Sequence, residues 1–267
     1  MRKLVRPLSI VLAFVLCFTL VTIPAYASSL SAEEEEKKRR GAEYNEEIAD
    51  SWAGELLSNS NYGKFIAYSS NWYSNLSTVE VLARLIYGEN SLSTTGQVAV
   101  AQVIMNRVAA NSSEFGIGFW NVATSGDNFS TIKGDANSTH NARDPRNQNP
   151  NDDGTIDNSG SVISNTWRYA TFLACLMLTT TDYDEWEIIA GHPITTQLFF
   201  CSYSMAKSEE RFENEEGTDK LQYRMGNGME YVKDVYVIGY GTYTDASDLL
   251  NIPGINASQH NIFFNIE

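Results

Sequence analysis

Cysteine and histidine are both scarce in this 267-residue chain, which contains three of each. Cys175 and Cys201 lie in apolar runs, where they could form one disulfide in an exported protein or remain buried thiols. The histidines, His140, His192 and His260, lack the spacing that is typical of zinc ligands. We therefore expect no metal site and no cofactor.

Basic residues are also few, with 19 Lys and Arg against 33 Asp and Glu and a formal net charge of −14. Such a balance argues against binding to nucleic acid or anionic lipid, because both attract proteins through positive charge. It also argues against long-range attraction to an anionic surface such as a cell wall. Binding there would depend on local contacts in a groove.

Long apolar runs are absent except at the start of the chain. Three basic residues within the first six precede an apolar segment at residues 8–23, and Ala-Tyr-Ala follows at residues 25–27. This order is typical of a cleaved signal peptide. An uncleaved anchor is the alternative, although the apolar run is shorter than a span of about 20 residues. We expect residues 1–27 to be removed, which leaves a secreted protein without an integral membrane anchor.

The remaining chain is predicted to be one α+β domain. Residues 28–45 are highly charged and are typical of a solvated linker or a frayed helix. The domain is expected at residues 46–267, with its core at 79–267 and with polar inserts near 137–161 and 207–230. The acidic residues of the first insert lack the spacing of a calcium loop. Aromatic-rich strands are predicted at residues 196–203, 231–243 and 261–266.

The centre of the chain, residues 79–108, combines two predicted helices. Val79, Leu82 and Ile86 are spaced three and four apart on one helix face, and Glu89 is the next position in that row. A carboxylate thus stands where an apolar residue is due. Thr94 with Gln97 three residues later predicts a capping box that opens the second helix. That helix is almost wholly apolar, which predicts burial on nearly all sides.

The segments LARLIYGE, GQVAVA and NRV, in this order and spacing, resemble the opening motif of the spore cortex-lytic and cell wall hydrolase family (the SleB/CwlJ type). Members of that family cut the glycan strands of peptidoglycan. The resemblance implies a mostly helical, lysozyme/transglycosylase-like domain with a small antiparallel sheet. In the family the glutamate after Tyr-Gly is the catalytic acid, so the resemblance assigns that role to Glu89.

Further similarity is found near residues 127–130, at 198–203 and at 258–264, where Ser258 and Gln259 replace the usual Gly and Asn of a Gly-Asn-His element. The resemblance implies six substrate-binding residues: Tyr87, Trp120, Asp127, Phe129, Tyr203 and His260. Tyr87, Trp120, Phe129 and His260 also have a structural alternative. The aromatic residues could be ordinary core, and the imidazole could be satisfied beside a strand.

A glycosidic bond breaks when a carboxylic acid protonates the bridging oxygen, so that acid must hold its proton near neutral pH. An apolar helix face raises the pKa of a carboxyl by desolvating the anion. Asp127 is the nearest candidate in the sequence for a second carboxylate, Glu114 and Asp135 are poorer candidates, and none is as good as Glu89. A lytic transglycosylase needs no second carboxylate, because the 6-hydroxyl of the sugar attacks instead. Hydrolysis remains an alternative to the lytic reaction. A structural ion pair with Arg84 or Arg107 remains an alternative to a catalytic role for Glu89.

Two functions follow from these observations. The first is a secreted, monomeric enzyme that cuts peptidoglycan glycan strands in the spore cortex or the vegetative wall, with Glu89 as its acid. The alternative is a catalytically inactive wall-binding or scaffold protein with the same fold. It is favoured by the looser match at residues 127–130 and 258–264.

Overall fold

A computed structural model describes residues 32–125, 128–146, 164–180, 183–191, 194–218, 220–225 and 228–267. The helices are α1 (Ala32–Ser58), α2 (Thr78–Glu89), α3 (Thr94–Ala110), α4 (Gly118–Thr124), α5 (Ser130–Lys133), α6 (His140–Arg143), α7 (Asn165–Thr179), α8 (Tyr183–Ala190), α9 (Tyr203–Ser208) and α10 (Ala246–Leu250). The strands are β1 (Phe199–Ser202), β2 (Phe212–Asn214), β3 (Leu221–Met225), β4 (Gly228–Val237), β5 (Gly241–Tyr243) and β6 (Asn261–Ile266). A short 3-10 helix, Ala257–Gln259, precedes β6. The predicted α+β class is confirmed.

Helix α1 runs without a break through residue 45, where the sequence suggested that a charged linker ends. Residues 40–267 form one compact unit. Within it, Ala42, Ala49, Ala53 and Leu57 are buried at helical spacing, so one narrow face packs while charged residues cover the rest. Because three of these four residues are alanines, the apolar pattern of this face is weak in the sequence. The predicted signal peptide lies outside the described residues, and no described helix is both long enough and apolar enough to span a membrane.

Helices α2 and α3 begin at serine caps. The Ser77 hydroxyl accepts a hydrogen bond from the Glu80 N–H, and the Ser93 hydroxyl accepts one from the Gly96 N–H. The capping box predicted at Thr94 is therefore wrong, because the cap lies one residue earlier. The side chain of Gln97 is instead fully buried, and neither of its polar atoms has a hydrogen-bond partner. The predicted burial of α3 is confirmed for residues 96–104.

The helical core forms where α2 packs along α7, with Trp167 fully buried between them. Arg84 of α2 is 1% exposed and forms an ion pair with Glu80 at 2.8 Å. Its guanidinium also donates to the main-chain carbonyls of Lys64 and Ala142, each at 2.8 Å. Since a buried charge is tolerated only when it is paired and hydrogen-bonded, these contacts fix α2 against two neighbouring segments.

All strand pairs are antiparallel, in the order β1-β6-β4-β3-β2, and β5 also pairs with β4. Residues 207–230 were predicted to be a polar insert, yet they contain β2, β3 and the start of β4. In these strands Phe212, Leu221 and Tyr223 are buried while their neighbours face solvent. A two-faced antiparallel strand needs only every second residue to be apolar, so the polar composition concealed it.

The other predicted strands are shorter or interrupted, with one exception. The strand expected at residues 196–203 starts at Phe199 and ends at Ser202, which caps α9. The strand expected at 231–243 is the second part of β4, a turn and β5, and β6 matches its predicted bounds. Cys175 and Cys201 are both buried free thiols, so the disulfide alternative is not realised.

Candidate functional site

Glu89 is the last residue of α2, and it is partly exposed at the end of the buried row formed by Val79, Leu82 and Ile86. Its Oε1 accepts a hydrogen bond from the Thr131 N–H of α5 at 3.4 Å. Gly88 allows this approach, since a Cβ on that residue would lie 2.0 Å from Thr131 Cγ2. Close packing against α5 thus explains why a glycine precedes Glu89.

Burial raises the pKa of the Glu89 carboxyl above its ordinary range. Hydrogen bonds from the hydroxyl and the N–H of Thr131 oppose that rise, and the positive charge of Arg107 opposes it less, but burial outweighs all three. The carboxyl consequently keeps its proton to a higher pH than an ordinary glutamic acid. This is the property that a general acid requires.

Arg107 lies beneath the site on α3 and is 5% exposed. Its Nε donates to the Leu198 carbonyl at 2.7 Å, and Nη1 donates to the Asn128 carbonyl at 3.2 Å. The guanidinium lies over the rings of Phe115 and Phe129, 4.8 and 4.6 Å from their centroids. Burial lowers the pKa of Arg107 to about 10. The base of the site is thus a cation held by aromatic faces and carbonyls.

The ion pair considered for Glu89 with Arg84 is not formed, because Arg84 pairs with Glu80. Arg107 interacts electrostatically with Glu89 while donating the hydrogen bonds already described to main-chain carbonyls. A simple structural ion pair is therefore a poor account of the Glu89 position.

A cleft of about 210 Å³ adjoins the end of α2. Asn90, which follows Glu89 directly, lines this cleft together with Ser93, Gly96, His260 and Asn261. The Asn90 Oδ1 accepts a hydrogen bond from the Ser93 N–H at 2.9 Å, which orders the turn between α2 and α3. The polar groups of the wall are amides, hydroxyls, an imidazole and main-chain atoms. Such a wall suits an uncharged polar ligand.

Two of the predicted site residues lie near or within this region. His260 lines the cleft, and its Nδ1 donates to the Asn256 carbonyl at 2.9 Å. Tyr87 is partly buried. Its ring makes an edge-to-face contact with the ring of Trp167, and the two centroids are 5.7 Å apart. That contact supports the packing alternative for Tyr87.

Two other predicted contacts, Phe129 and Tyr203, are buried away from the surface. Phe129 is 2% exposed, because it packs under Arg107 and against Phe200. Tyr203 is fully buried, and its hydroxyl donates to the Leu249 carbonyl at 2.9 Å. Their burial supports the core alternative for these two residues. Trp120 of α4 is partly buried and packs on the helical core, and Asp127 lies outside the described residues.

The structure adds two residues that the sequence did not indicate. Thr131 is far from Glu89 in the chain, so only folding could reveal its hydrogen bond to the carboxyl. Asn90 has no assigned role in the sequence analysis, although its position directly after Glu89 is a usable signal.

A larger cavity, of about 590 Å³, lies elsewhere. Its walls include Glu46, Glu47 and Asp50 of α1 with Tyr169 and Phe172 of α7, and none of the predicted site residues lines it. Within the described residues, no group of three or more His, Cys, Asp or Glu side chains could hold a metal ion.

Comparison with known proteins found no match for this chain among protein-family models, curated proteins or solved structures. The chemistry of the site must therefore be argued from its own residues and from the sequence motifs around Glu89.

Proposed function

We propose that this protein is a secreted enzyme that cleaves the glycan strand of peptidoglycan, with Glu89 as its general acid. The observation that supports this most strongly is the state of Glu89. It is a partly exposed carboxyl whose pKa is raised by burial, and it lies next to a cleft with uncharged polar walls. The motif around it resembles that of enzymes with this activity.

In the proposed reaction, protonated Glu89 donates its proton to the bridging oxygen as the bond to the anomeric carbon breaks. The departing sugar leaves as an alcohol, and positive charge develops on the remaining ring. The Glu89 carboxylate that results gains support from the Thr131 N–H and from the charge of Arg107. Both groups are already in place before the proton moves.

The second half of the reaction returns the proton. In the lytic route, the 6-hydroxyl of the same sugar attacks the anomeric carbon, and its proton passes to Glu89. A 1,6-anhydro end forms, and no water is consumed. Hydrolysis would instead add a water molecule, and a second carboxylate would normally activate it.

The surroundings of Glu89 favour the lytic route. In the described part of the chain, the groups that shift its pKa are Thr131 and Arg107, and neither is a carboxylate. A helical core that presents one glutamate at a helix end, beside a small antiparallel sheet, also suits a lysozyme/transglycosylase-like domain. The N-terminal segment suits export to the cell wall or the spore envelope, and we propose that the enzyme acts there as a monomer.

The alternative is a wall-binding or scaffold protein that does not cleave. One observation favours it: Phe129 and Tyr203 are buried, so two expected sugar contacts are missing from the surface. The cleft beside Asn90 could still hold a sugar in such a protein.

The test compares the chain without its predicted signal peptide, residues 28–267, with its Glu89→Gln variant on vegetative peptidoglycan and on spore cortex. Released muropeptides are identified by mass spectrometry. We expect the variant to lose at least about 100-fold in rate, as is typical when a general acid is removed. Products lighter by one water would identify the lytic route.

The matched control is Glu230→Gln, which changes an exposed carboxylate of β4 that is not among the groups acting on Glu89 or Arg107. This variant should keep its activity. If neither the wild type nor Glu89→Gln releases fragments from either substrate while both bind, the enzyme proposal is wrong and the scaffold remains.

A further inference from the structure

The turn between β4 and β5 holds an aromatic residue at its tip. Val237 pairs with Gly241, so Ile238, Gly239 and Tyr240 form a three-residue connection. Gly239 and Gly241 have φ angles of 81° and 102°, which side chains rarely tolerate. The Tyr240 N–H donates to the Val237 carbonyl at 3.0 Å and closes the turn. The backbone thus holds Tyr240 between two glycines.

Tyr240 contacts His260, which lines the cleft that begins at Asn90. The edge of its ring meets His260, with centroids 5.4 Å apart and an interplanar angle of 75°. His260 contacts the ring of Tyr240, and Ile238 lies two residues before Tyr240 in the chain. Both residues line the cleft. Tyr240 itself is 39% exposed, whereas the other aromatic residues of the sheet region are buried or intermediate in exposure. An exposed ring that contacts a residue of the cleft lining is available to a ligand.

The imidazole of His260 is oriented by its hydrogen bond. Because Asn256 offers a carbonyl oxygen, the Nδ1 of His260 must donate to it. In the neutral ring, Nε2 is then an acceptor. The cleft lining therefore offers an acceptor on His260 and the amides of Asn90 and Asn261, and the ring of Tyr240 packs against that imidazole.

This combination fits a pyranose with an acetamido group. A sugar ring has an apolar C–H face that packs on an aromatic ring, while its hydroxyl and amide groups need donors and acceptors at its edge. A cationic ligand would find no carboxylate among the lining residues, and an anionic ligand would find no ammonium or guanidinium there.

We propose that Tyr240 is a sugar-binding residue that packs on an N-acetylated sugar of the glycan strand seated in this cleft. The identity of the glycan rests on the proposed function, but the binding itself requires no cleavage.

The test measures binding without turnover, in the Glu89→Gln background. The parent and its Tyr240→Ala variant are sedimented with insoluble peptidoglycan, and the bound fraction is titrated against the amount of polymer. Loss of one aromatic contact should raise the apparent Kd by about 3- to 10-fold. Tyr240→Phe should bind within about twofold of the parent, because it keeps the ring.

The matched control is Tyr44→Ala, which removes an equally large and more exposed tyrosine from α1. It should leave the Kd unchanged. Circular dichroism checks the fold of each variant, and if Tyr240→Ala does not fold, Tyr240→Leu replaces it, because leucine keeps the apolar bulk and lacks the ring. Removal of the N-acetyl groups from the peptidoglycan should weaken its binding to the parent. It should also reduce the difference in Kd between the parent and Tyr240→Ala.

The outcomes separate this inference from the proposed catalysis. Equal binding by the parent and Tyr240→Ala would overturn the inference, whether or not the wild type is active. An inactive wild type together with weaker binding by Tyr240→Ala would overturn the catalytic proposal and retain the sugar site. If both are right, Tyr240→Ala in the active enzyme should raise KM with little change in kcat.

Discussion

Glu89 shows how one position can be detected from spacing while its chemistry depends on the fold. The row of Val79, Leu82 and Ile86 identified a carboxylate at an apolar position, and the structure places it, partly exposed, at the end of α2 beyond that buried row. Burial in the folded chain raises the pKa of the carboxyl, and groups of α5 and α3 oppose the rise; no local pattern contains these surroundings.

The raised pKa of Glu89 predicts a pH-dependent stability. Because the pKa is higher in the folded state than in the unfolded state, folding favours the protonated carboxyl. The stability that this provides is complete below the unfolded pKa and is lost as the pH rises through the folded pKa. Glu89→Gln cannot ionise, so the free energy of unfolding of the wild type should fall relative to the variant over that interval.

Urea denaturation at a series of pH values from the acid range to neutrality measures this difference. The two proteins should diverge only above the ordinary pKa range of glutamic acid, about 4.3. Two curves that stay parallel from acid to neutral pH would show that Glu89 is solvated, and would remove the main argument for its role as an acid.

The aromatic site residues were predicted less well than Glu89, for a physical reason. Phe129 and Tyr203 lie in aromatic segments, and an aromatic segment can equally supply a sugar-binding surface or a core. Burial decides between these, and it results from contacts with Arg107 and Leu249 far away in the chain. Tyr240 was passed over because it lies in what looked like a single strand.

At the scale of elements, the contact between α2 and α5 positions the site, and Gly88 is its closest point. A Cβ at Gly88 would approach Thr131 Cγ2 to 2.0 Å and Ala142 Cβ to 3.0 Å. Gly88→Ala should therefore destabilise the protein by about 1–3 kcal/mol through overpacking. It should also displace Thr131 from Glu89 and lower activity. Urea unfolding and the muropeptide assay measure the two effects.

Gly54→Ala is the control for helix propensity, since Gly54 lies within α1 and a Cβ there would meet nothing within 4 Å. This substitution should stabilise the protein by about 0.5–1 kcal/mol. A stabilising Gly88→Ala would mean that α5 is not held against α2 as described.

The elements themselves were predicted to different degrees. Helices α2, α3 and α7 and strand β6 follow from strong apolar patterns, and their cores are buried as expected. The strands β2 and β3 were missed, because each has so few inward positions that charged neighbours dominate the composition. The start of α1 was assigned to a linker, because alanine contributes little to an apolar pattern.

For the whole molecule, the two thiols mark two separate cores. Cys175 belongs to the helical core, and Cys201 belongs to the core of the sheet with Val235 and Phe264. Burial raises the pKa of each thiol to about 12. Neither thiol should therefore react with a thiol reagent in the native protein, and both should react in urea.

A reducing agent should leave the Tm unchanged, because no disulfide joins the two cores. Thiol titration with and without urea, and thermal unfolding with and without reductant, measure these outcomes. A Tm that falls on reduction would instead support the covalent link that the sequence left open.

The register of β1 with β6 has a consequence for how the chain must be made. Phe199, Phe200 and Cys201 pair with residues 262–264, which are synthesised long after them. Until those residues leave the ribosome, β1 is an apolar strand with an open edge, the kind of segment that joins other chains. Production of this protein should thus be limited by aggregation of the nascent or refolding chain, and slower synthesis or greater dilution should raise the yield.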